Sequence, residues 1–416
     1  MPAPAEGARR RSAGGPSRRQ FLLGGAVAGV GAAAAVGIDA ALRMRDDAPA
    51  SAGDPGADPG QPVAFYGAHQ AGIATEPQAH AAFVALDLRD GVGKEELARL
   101  MWLLSDDAAR LTQGAAALAD SEPELAVHPA RLTVTFGFGQ GFVARAGARG
   151  PDWLAPLPSF GVDRLRAELS DGDLLLQIAS DDPLTVAHAS RMLLKDARSF
   201  ASVRWIQQGF RRARGTVRPG TTQRNLFGQI DGTVNPVPGT DDFDEVVWSD
   251  DGWLDGGTGL VVRRIRMNLD KWDELDRPGR EASVGRTLSN GAPLTGSDEF
   301  DEPDFTATSS IGFPVIPTFS HMRRARGDGR ERIFRRAYNY DEGAAGDEIS
   351  DAGLIFASYQ ADVARQFIPI QRRLDEIDLL NEWTTPIGSA VFAIPPGCQE
   401  GGFIGETILT KTGAST

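Results

Sequence analysis

Cysteine is almost absent from this 416-residue chain, in which Cys398 stands alone. One thiol excludes an intrachain disulfide, a cysteine zinc cluster and a Cys-x-x-Cys-His attachment site. Histidine is scarce too, with five copies, so chemistry that needs an imidazole has few places to sit. Long apolar runs are missing: the uncharged stretch 23–38 is shorter than the roughly 20 residues of a membrane span and is diluted by Gly and Ala. Walker, Rossmann and zinc-finger spacings do not occur. Gly256-Gly257-Thr258-Gly259 precedes a strand-like run instead of opening a helix, which argues against a phosphate loop. Positive charge is also in deficit. The formal net charge is -13, and the first 50 residues hold seven arginines against four acids, so the remainder is more acidic still. Such a surface repels phosphate backbones and anionic lipid and argues against nucleic acid or a membrane surface as partner.

The paired arginines of Ser17-Arg18-Arg19-Gln20-Phe21-Leu22 stand just ahead of that weak apolar run. This is the form of a twin-arginine signal, which carries folded proteins; a short membrane anchor is the alternative. Residues 1–45 are therefore expected to be a signal region, read by the twin-arginine export machinery, and 46–61, rich in Pro, Gly, Ala and Asp, a disordered linker. Export would place the mature protein in the periplasm, the cell envelope or outside the cell. The remaining length exceeds one ordinary core and suits two domains, 62–215 and 216–416.

Periodicity in the first of these predicts a strand at 80–87, a helix at 94–118, strands at 132–138 and 174–178, a helix at 183–196 and a strand at 203–208. The second repeats the scheme loosely, with strands at 259–267, 333–336, 353–359 and 390–394 and helices at 269–276 and 361–374. That order of elements suits an α+β fold of two ferredoxin-like domains, antiparallel sheets with peripheral helices. A long loop is expected from 277 to 318. Its acidic stretch, Asp298 to Asp304, reads as a solvated surface loop, with a substrate or ion-binding lip as the alternative.

Chemistry concentrates in Arg224-Asn225-Leu226-Phe227-Gly228-Gln229-Ile230-Asp231-Gly232-Thr233-Val234-Asn235. Gly228 and Gly232 let the backbone turn or approach a flat ligand, while Phe227 and Ile230 surround the Asp231 carboxyl with apolar walls. An acid so placed needs a partner or a task; otherwise it caps its own turn. His321 lies in Phe319-Ser320-His321-Met322-Arg323-Arg324, either as a surface histidine beside arginines or as a metal ligand. Strand alternation sends Arg335 and Arg336 to opposite faces and puts Leu354 and Phe356 on one face. Asp362 opens a helix and is a candidate cap. His69, in Phe65-Tyr66-Gly67-Ala68-His69, suits structural hydrogen bonding between domains.

Together these segments resemble the dye-decolorising (DyP-type) haem peroxidases. The resemblance runs through Phe65-Tyr66-Gly67, Phe136-Gly137-Phe138-Gly139, the Gly-x-x-Asp-Gly pattern at 228–232, Leu260-Val261-Val262-Arg263-Arg264, Ser320-His321-Met322-Arg323, Arg335-Arg336-Ala337-Tyr338 and Tyr359-Gln360. Asn235 fits the exported branch. The resemblance implies one haem b per chain, held without covalent attachment, with His321 as the proximal ligand to the metal. It implies Asp231 as the acid/base, Arg335 as the fixed cation, and Arg286 on a haem propionate. Gly232, Thr233 and Asn235 would contact the cofactor, and Leu354 and Phe356 would wall the peroxide side. Asp362 is implied as acceptor of the proximal imidazole N–H, with the helix cap as the other reading. Gln229-Ile230 and Ala337 depart from the commonest exported-branch residues and bear on substrate preference.

Three functions follow as expectations. The first is a peroxidase that reduces hydrogen peroxide and oxidises bulky phenols or dyes by single electrons. The second is an exported haem- or iron-handling protein, a deferrochelatase or ferrous-iron oxidase of an uptake system. The third, a haem-binding or homo-oligomeric interaction protein without turnover, is disfavoured by the joint presence of Asp231 and Arg335.

Overall fold

Strand runs buried on both faces gather into one antiparallel sheet in the computed structural model, which describes residues 61–410 apart from 345, 347 and 348. The twin-arginine segment and the linker up to residue 60 lie outside the described residues. The first half comprises β1 (His80–Leu88), α1 (Lys94–Thr112), β2 (Thr133–Phe138), α2 (Gln140–Arg145), β3 (Leu174–Ser180), α3 (Pro183–Ala197) and β4 (Ala201–Phe210). The second comprises α4 (Asp241–Val247), β5 (Thr258–Met267), α5 (Leu269–Asp273), α6 (Arg277–Val284), α7 (His321–Arg326), β6 (Phe334–Arg335), β7 (Tyr338–Asp341), β8 (Ala352–Gln360), α8 (Ile368–Ile377), β9 (Thr384–Ile394) and α9 (Glu406–Leu409).

Strand order is β5-β9-β2-β3-β1-β4-β7-β8-β6, and a further β5–β8 pairing closes eight of the strands into a ring. Within it, β2-β3-β1-β4 and β9-β5-β8 followed by β6 and β7 have the same order, fourth-first-third-second, which is the ferredoxin-like arrangement. The two halves join at single residue pairs, Phe138 with Ala393 and Phe210 with Asn339.

Alternation sorts side chains into three cores. Phe83, Leu175, Leu260, Val262, Ile355, Tyr359 and Phe392 fill the ring from both halves. On the outer face of the first half, Val84, Phe136 and Ile178 meet Leu97, Leu100, Met101 and Leu104 of α1. Each of these large side chains contributes about 1.5–3 kcal/mol by leaving water. The outer face of the second half carries Met267 and Leu354, packed with Phe227, Trp272 and Trp383. That face holds the site.

Several boundaries differ from the sequence reading. α1 stops at Thr112 because Gly114 turns the chain at φ +77°. The expected loop from 277 contains α6, started by Asp276, whose Oδ1 accepts from Gly279 N at 2.9 Å, and stopped by Gly285 at φ +90°. Residues 361–374 form a π-helical turn, Val363–Phe367, before α8. Pro369 lacks the N–H that would continue α-helical bonding through that point.

Candidate active site

The glycine motif forms a small hairpin rather than a simple turn. Arg224 and Ile230 bridge across it, Gly228 takes φ +78°, and Asn225 Oδ1 accepts from Phe227 N and Gln229 N at 3.1 and 3.3 Å. Arg224 fastens the hairpin to the loop after α6 by donating to Leu288 O and Ser289 O at 2.7 and 2.8 Å. The chain then leaves through Asp231 and Gly232, the latter at φ +131°, where a side chain would be strained. Asp231 does not spend its carboxylate on a self-cap: Oδ1 accepts from Arg335 Nη1 at 2.6 Å, with the two side chains 13% and 23% exposed.

Arg335 reaches Asp231 because its own backbone is clamped. Asn235 Nδ2 donates to Arg335 O at 2.7 Å, and Arg335 N donates to Asn235 Oδ1 at 3.0 Å, so the amide reads the arginine as a neighbouring strand would. On the other side β6 pairs with Tyr359 and Ser358 of β8. Alternation separates the two arginines as expected. Arg336 is fully buried on the opposite face, where it donates to Thr75 O and Gln78 Oε1 as a structural cation.

His321 opens α7, after the buried Ser320. Its Nδ1 lies 2.6 Å from Asp378 Oδ2. A carboxylate only accepts, so Nδ1 carries the proton, and in the neutral imidazole Nε2 keeps a lone pair of the kind that metals accept. Asp378 is itself held, because its Oδ1 accepts from Leu380 N at 3.0 Å and Leu379 N donates to Phe319 O at 3.0 Å. Burial pushes the His321 pKa down, but the charge and hydrogen bond of Asp378 outweigh it and raise the value above 6.5. Arg335 opposes that rise and Asp231 adds to it, which places the acid, the cation and the imidazole within electrostatic reach of one another.

Asp378 is the residue that sequence reasoning missed, and Asp362 is the corresponding correction. Asp362 Oδ1 accepts from Arg365 N at 2.9 Å as a helix cap, and the imidazole bond belongs to Asp378. Local signals do not separate the two, since each acid caps the backbone that follows it.

The remaining positions surround these. Arg286 is buried, and its Nη1 donates to Gly291 O and Glu299 O at 2.6 and 2.8 Å; burial lowers its pKa, Glu299 raises it, and Arg335 and Arg326 lower it further. Thr233 Oγ1 donates to Glu299 Oε1 at 2.9 Å. Leu354 and Phe356 share the outer face of β8 with the Phe227 and Trp272 cluster, in which those two rings stack at 4.3 Å. His69 bonds across as expected: its Nδ1 lies 2.6 Å from Gly256 O and its ring stacks on Trp248.

The donor set suits haem. Among the described residues no group of three or more His, Cys, Asp or Glu is placed to hold a bare ion. One imidazole with its second nitrogen fixed by a carboxylate fits a metal that brings its other donors in a macrocycle, and the apolar face with Leu354 and Phe356 suits the flat body of such a group.

Two family models match in tandem, Dyp-type peroxidase, N-terminal, over residues 70–211 and Dyp-type peroxidase, C-terminal, over residues 222–399. The chain belongs to the Dyp-type peroxidase family. It is 38% identical over 424 residues to the dye-decolorizing peroxidase of Thermobifida fusca, covering 95% of this chain and 97% of that one. It is 34% identical over 421 residues to the deferrochelatase of Escherichia coli, covering 95% and 97%. Among solved structures, a DyP-type peroxidase from Cellulomonas bogoriensis matches with TM-score 0.82 and 53% identity, over 85% of this chain and 99% of that one. Ferric DtpA from Streptomyces lividans matches with TM-score 0.81 and 42% identity, over 84% and 97%. As a Dyp-type peroxidase this chain is a haem enzyme, an oxidoreductase that consumes hydrogen peroxide and a reductant. The single cysteine fits haem b held without a thioether link.

Proposed function

We propose that this Dyp-type peroxidase activates hydrogen peroxide with Asp231 and Arg335, that His321 would hold the haem iron, and that the enzyme oxidises bulky phenols or dyes by single electrons. The observation that carries the assignment is the 2.6 Å Asp231–Arg335 ion pair within electrostatic reach of an imidazole whose Nδ1 is locked by Asp378. Haem, when bound, supplies the redox-active iron. Asp231 takes the first proton from hydrogen peroxide and returns it to the departing oxygen as water forms, acid/base work worth roughly a hundred- to ten-thousand-fold. Arg335 keeps its charge at any working pH and stabilises negative charge developing on the oxygens. Asn235 holds Arg335 in place, and Asp378 raises the electron-donating power of His321. Arg286 supplies a cation for a propionate, Gly232 and Thr233 border the cofactor, and Leu354 and Phe356 exclude water from the peroxide side.

His321→Ala tests the axis of this arrangement. The variant is expected to lose the native Soret absorbance, and an unchanged Soret band would move the ligand elsewhere. Relatives named deferrochelatase support a second reading, in which haem or iron is the cargo. Steady-state turnover of the holoprotein with a dye, a phenol and ferrous iron as competing reductants separates the two. Export by the twin-arginine machinery to the periplasm, envelope or exterior is part of the proposal and rests on Arg18, Arg19 and the weak apolar run after them. Self-association is read by the mass of the purified holoprotein in solution.

A further inference from the structure

The acidic segment after α6 divides its side chains between two tasks. Its aspartates turn inward on their own backbone. Asp298 Oδ1 accepts from Phe300 N at 3.1 Å, Asp301 Oδ2 from Ser297 N and Asp298 N at 2.7 and 2.9 Å, and Asp304 Oδ1 from Thr306 N and Ala307 N at 2.8 and 3.2 Å. Such caps give a loop a fixed shape without a core. The two glutamates point away from it. Glu299 Oε1 accepts from Thr233 Oγ1 at 2.9 Å, and its carbonyl oxygen accepts from Arg286 Nη1 at 2.8 Å. Glu302 pairs with Arg326, the last residue of the helix that begins at His321, at 2.5 Å. One pre-shaped segment is thus tied to the glycine motif, to Arg286 and to the ligand helix.

We propose that segment 297–304 is a strap across the open edge of the haem site, and that Glu299 is the positioning residue that sets how long haem stays bound. This rests on haem lying between the Asp231–Arg335 pair and His321. Haem leaves such a site only when the wall on one side separates from the wall on the other, and the strap is bonded to both. Glu299 is half-buried and makes two of the ties, whereas Glu302 is 75% exposed at its side chain, so water and salt weaken its pair. The Thr233–Glu299 bond is therefore the stronger side-chain tie, and cutting it frees the strap. A long residence time suits a cofactor kept through many turnovers and not a cargo delivered once.

The test is first-order transfer of haem from holoprotein to excess apomyoglobin, followed in the Soret region. Glu299→Ala and Thr233→Val are each expected to release haem about tenfold faster, the effect of losing one hydrogen bond to a charged group. Thr233→Ser, which keeps the hydroxyl, should release at the wild-type rate. The Thr233→Val/Glu299→Ala double variant should be no faster than the faster single, because both remove the same bond. Rates within twofold of wild type in both singles would overturn the strap, as would multiplying effects in the double. Thermal melting of the apoproteins identifies a misfolded Glu299→Ala, in which case Thr233→Val against Thr233→Ser decides. Native Soret absorbance in His321→Ala would overturn the site beneath the proposal. Lost absorbance there, together with unchanged release from Glu299→Ala, would overturn the strap alone.

Discussion

Replacing Asp378 by Asn keeps the shape of the side chain and removes its charge. In the native protein the imidazole Nδ1–H lies 2.6 Å from a carboxylate oxygen whose side chain is 3% exposed, so solvent does little to screen the pair. A carboxylate partner of this kind changes metal affinity or activity by roughly ten- to a hundredfold, which is about 1.4–2.7 kcal/mol. The anion favours the more highly charged oxidised iron. Its removal should therefore raise the one-electron reduction potential of the bound haem by about 60–120 mV, at about 59 mV per factor of ten. Spectroelectrochemical titration of the holoprotein reads this directly, and stopped-flow mixing with hydrogen peroxide should show a slower reaction in the same variant. Asp362→Asn is the control. Asp362 caps Arg365 N and does not bond the imidazole in the structure, and an asparagine oxygen caps a helix about as well as an aspartate, so this variant should leave both the melting temperature and the potential unmoved. An unchanged potential in Asp378→Asn, or a shift in Asp362→Asn instead, would refute the reasoning.

Asp231→Asn and Arg335→Leu should each slow the stopped-flow reaction with hydrogen peroxide at least roughly tenfold, and an effect smaller than this in both would reassign the acid/base pair. Asp196, raised to about 7 by burial and by the hydrogen bond and charge of Asp107, binds a proton in the folded state that the unfolded chain has released. Native stability from this group is therefore full below about pH 4 and falls as pH rises towards 7. Asp196→Asn should flatten that slope in calorimetric melts at pH 5 and pH 8 and be more stable than wild type at the higher value. Replacing Arg18 and Arg19 together by Lys should leave unprocessed precursor in the cytoplasm on fractionation, and normal export would remove the twin-arginine reading.

The strands, the turns at Gly228 and Gly232 and the placing of Arg335 and Arg336 on opposite faces were legible in the residue sequence because each rests on a short-range signal. A period of two fixes which face a residue takes, and Gly228 and Gly232 mark turns that other residues strain to make. The signals that start and stop α6, Asp276 ahead of Pro278 and Gly285 after Val284, are equally local. Partners distant in the chain were not legible. Asp378 stands 57 residues from His321 and Asp362 stands nearer, and both carry the same capping signal, so only the packing of α7 against α8 and the turn after it selects between them. The acidic segment read as solvated charge because composition cannot tell an aspartate that caps its own loop from a glutamate that reaches a threonine 66 residues away. The residue sequence by itself determined the local periods, the turns and the kinds of chemical group available. Tertiary structure decided which acid meets which base, because those pairings depend on two ferredoxin-like halves closing one ring of strands, and no local signal records the register at which they meet.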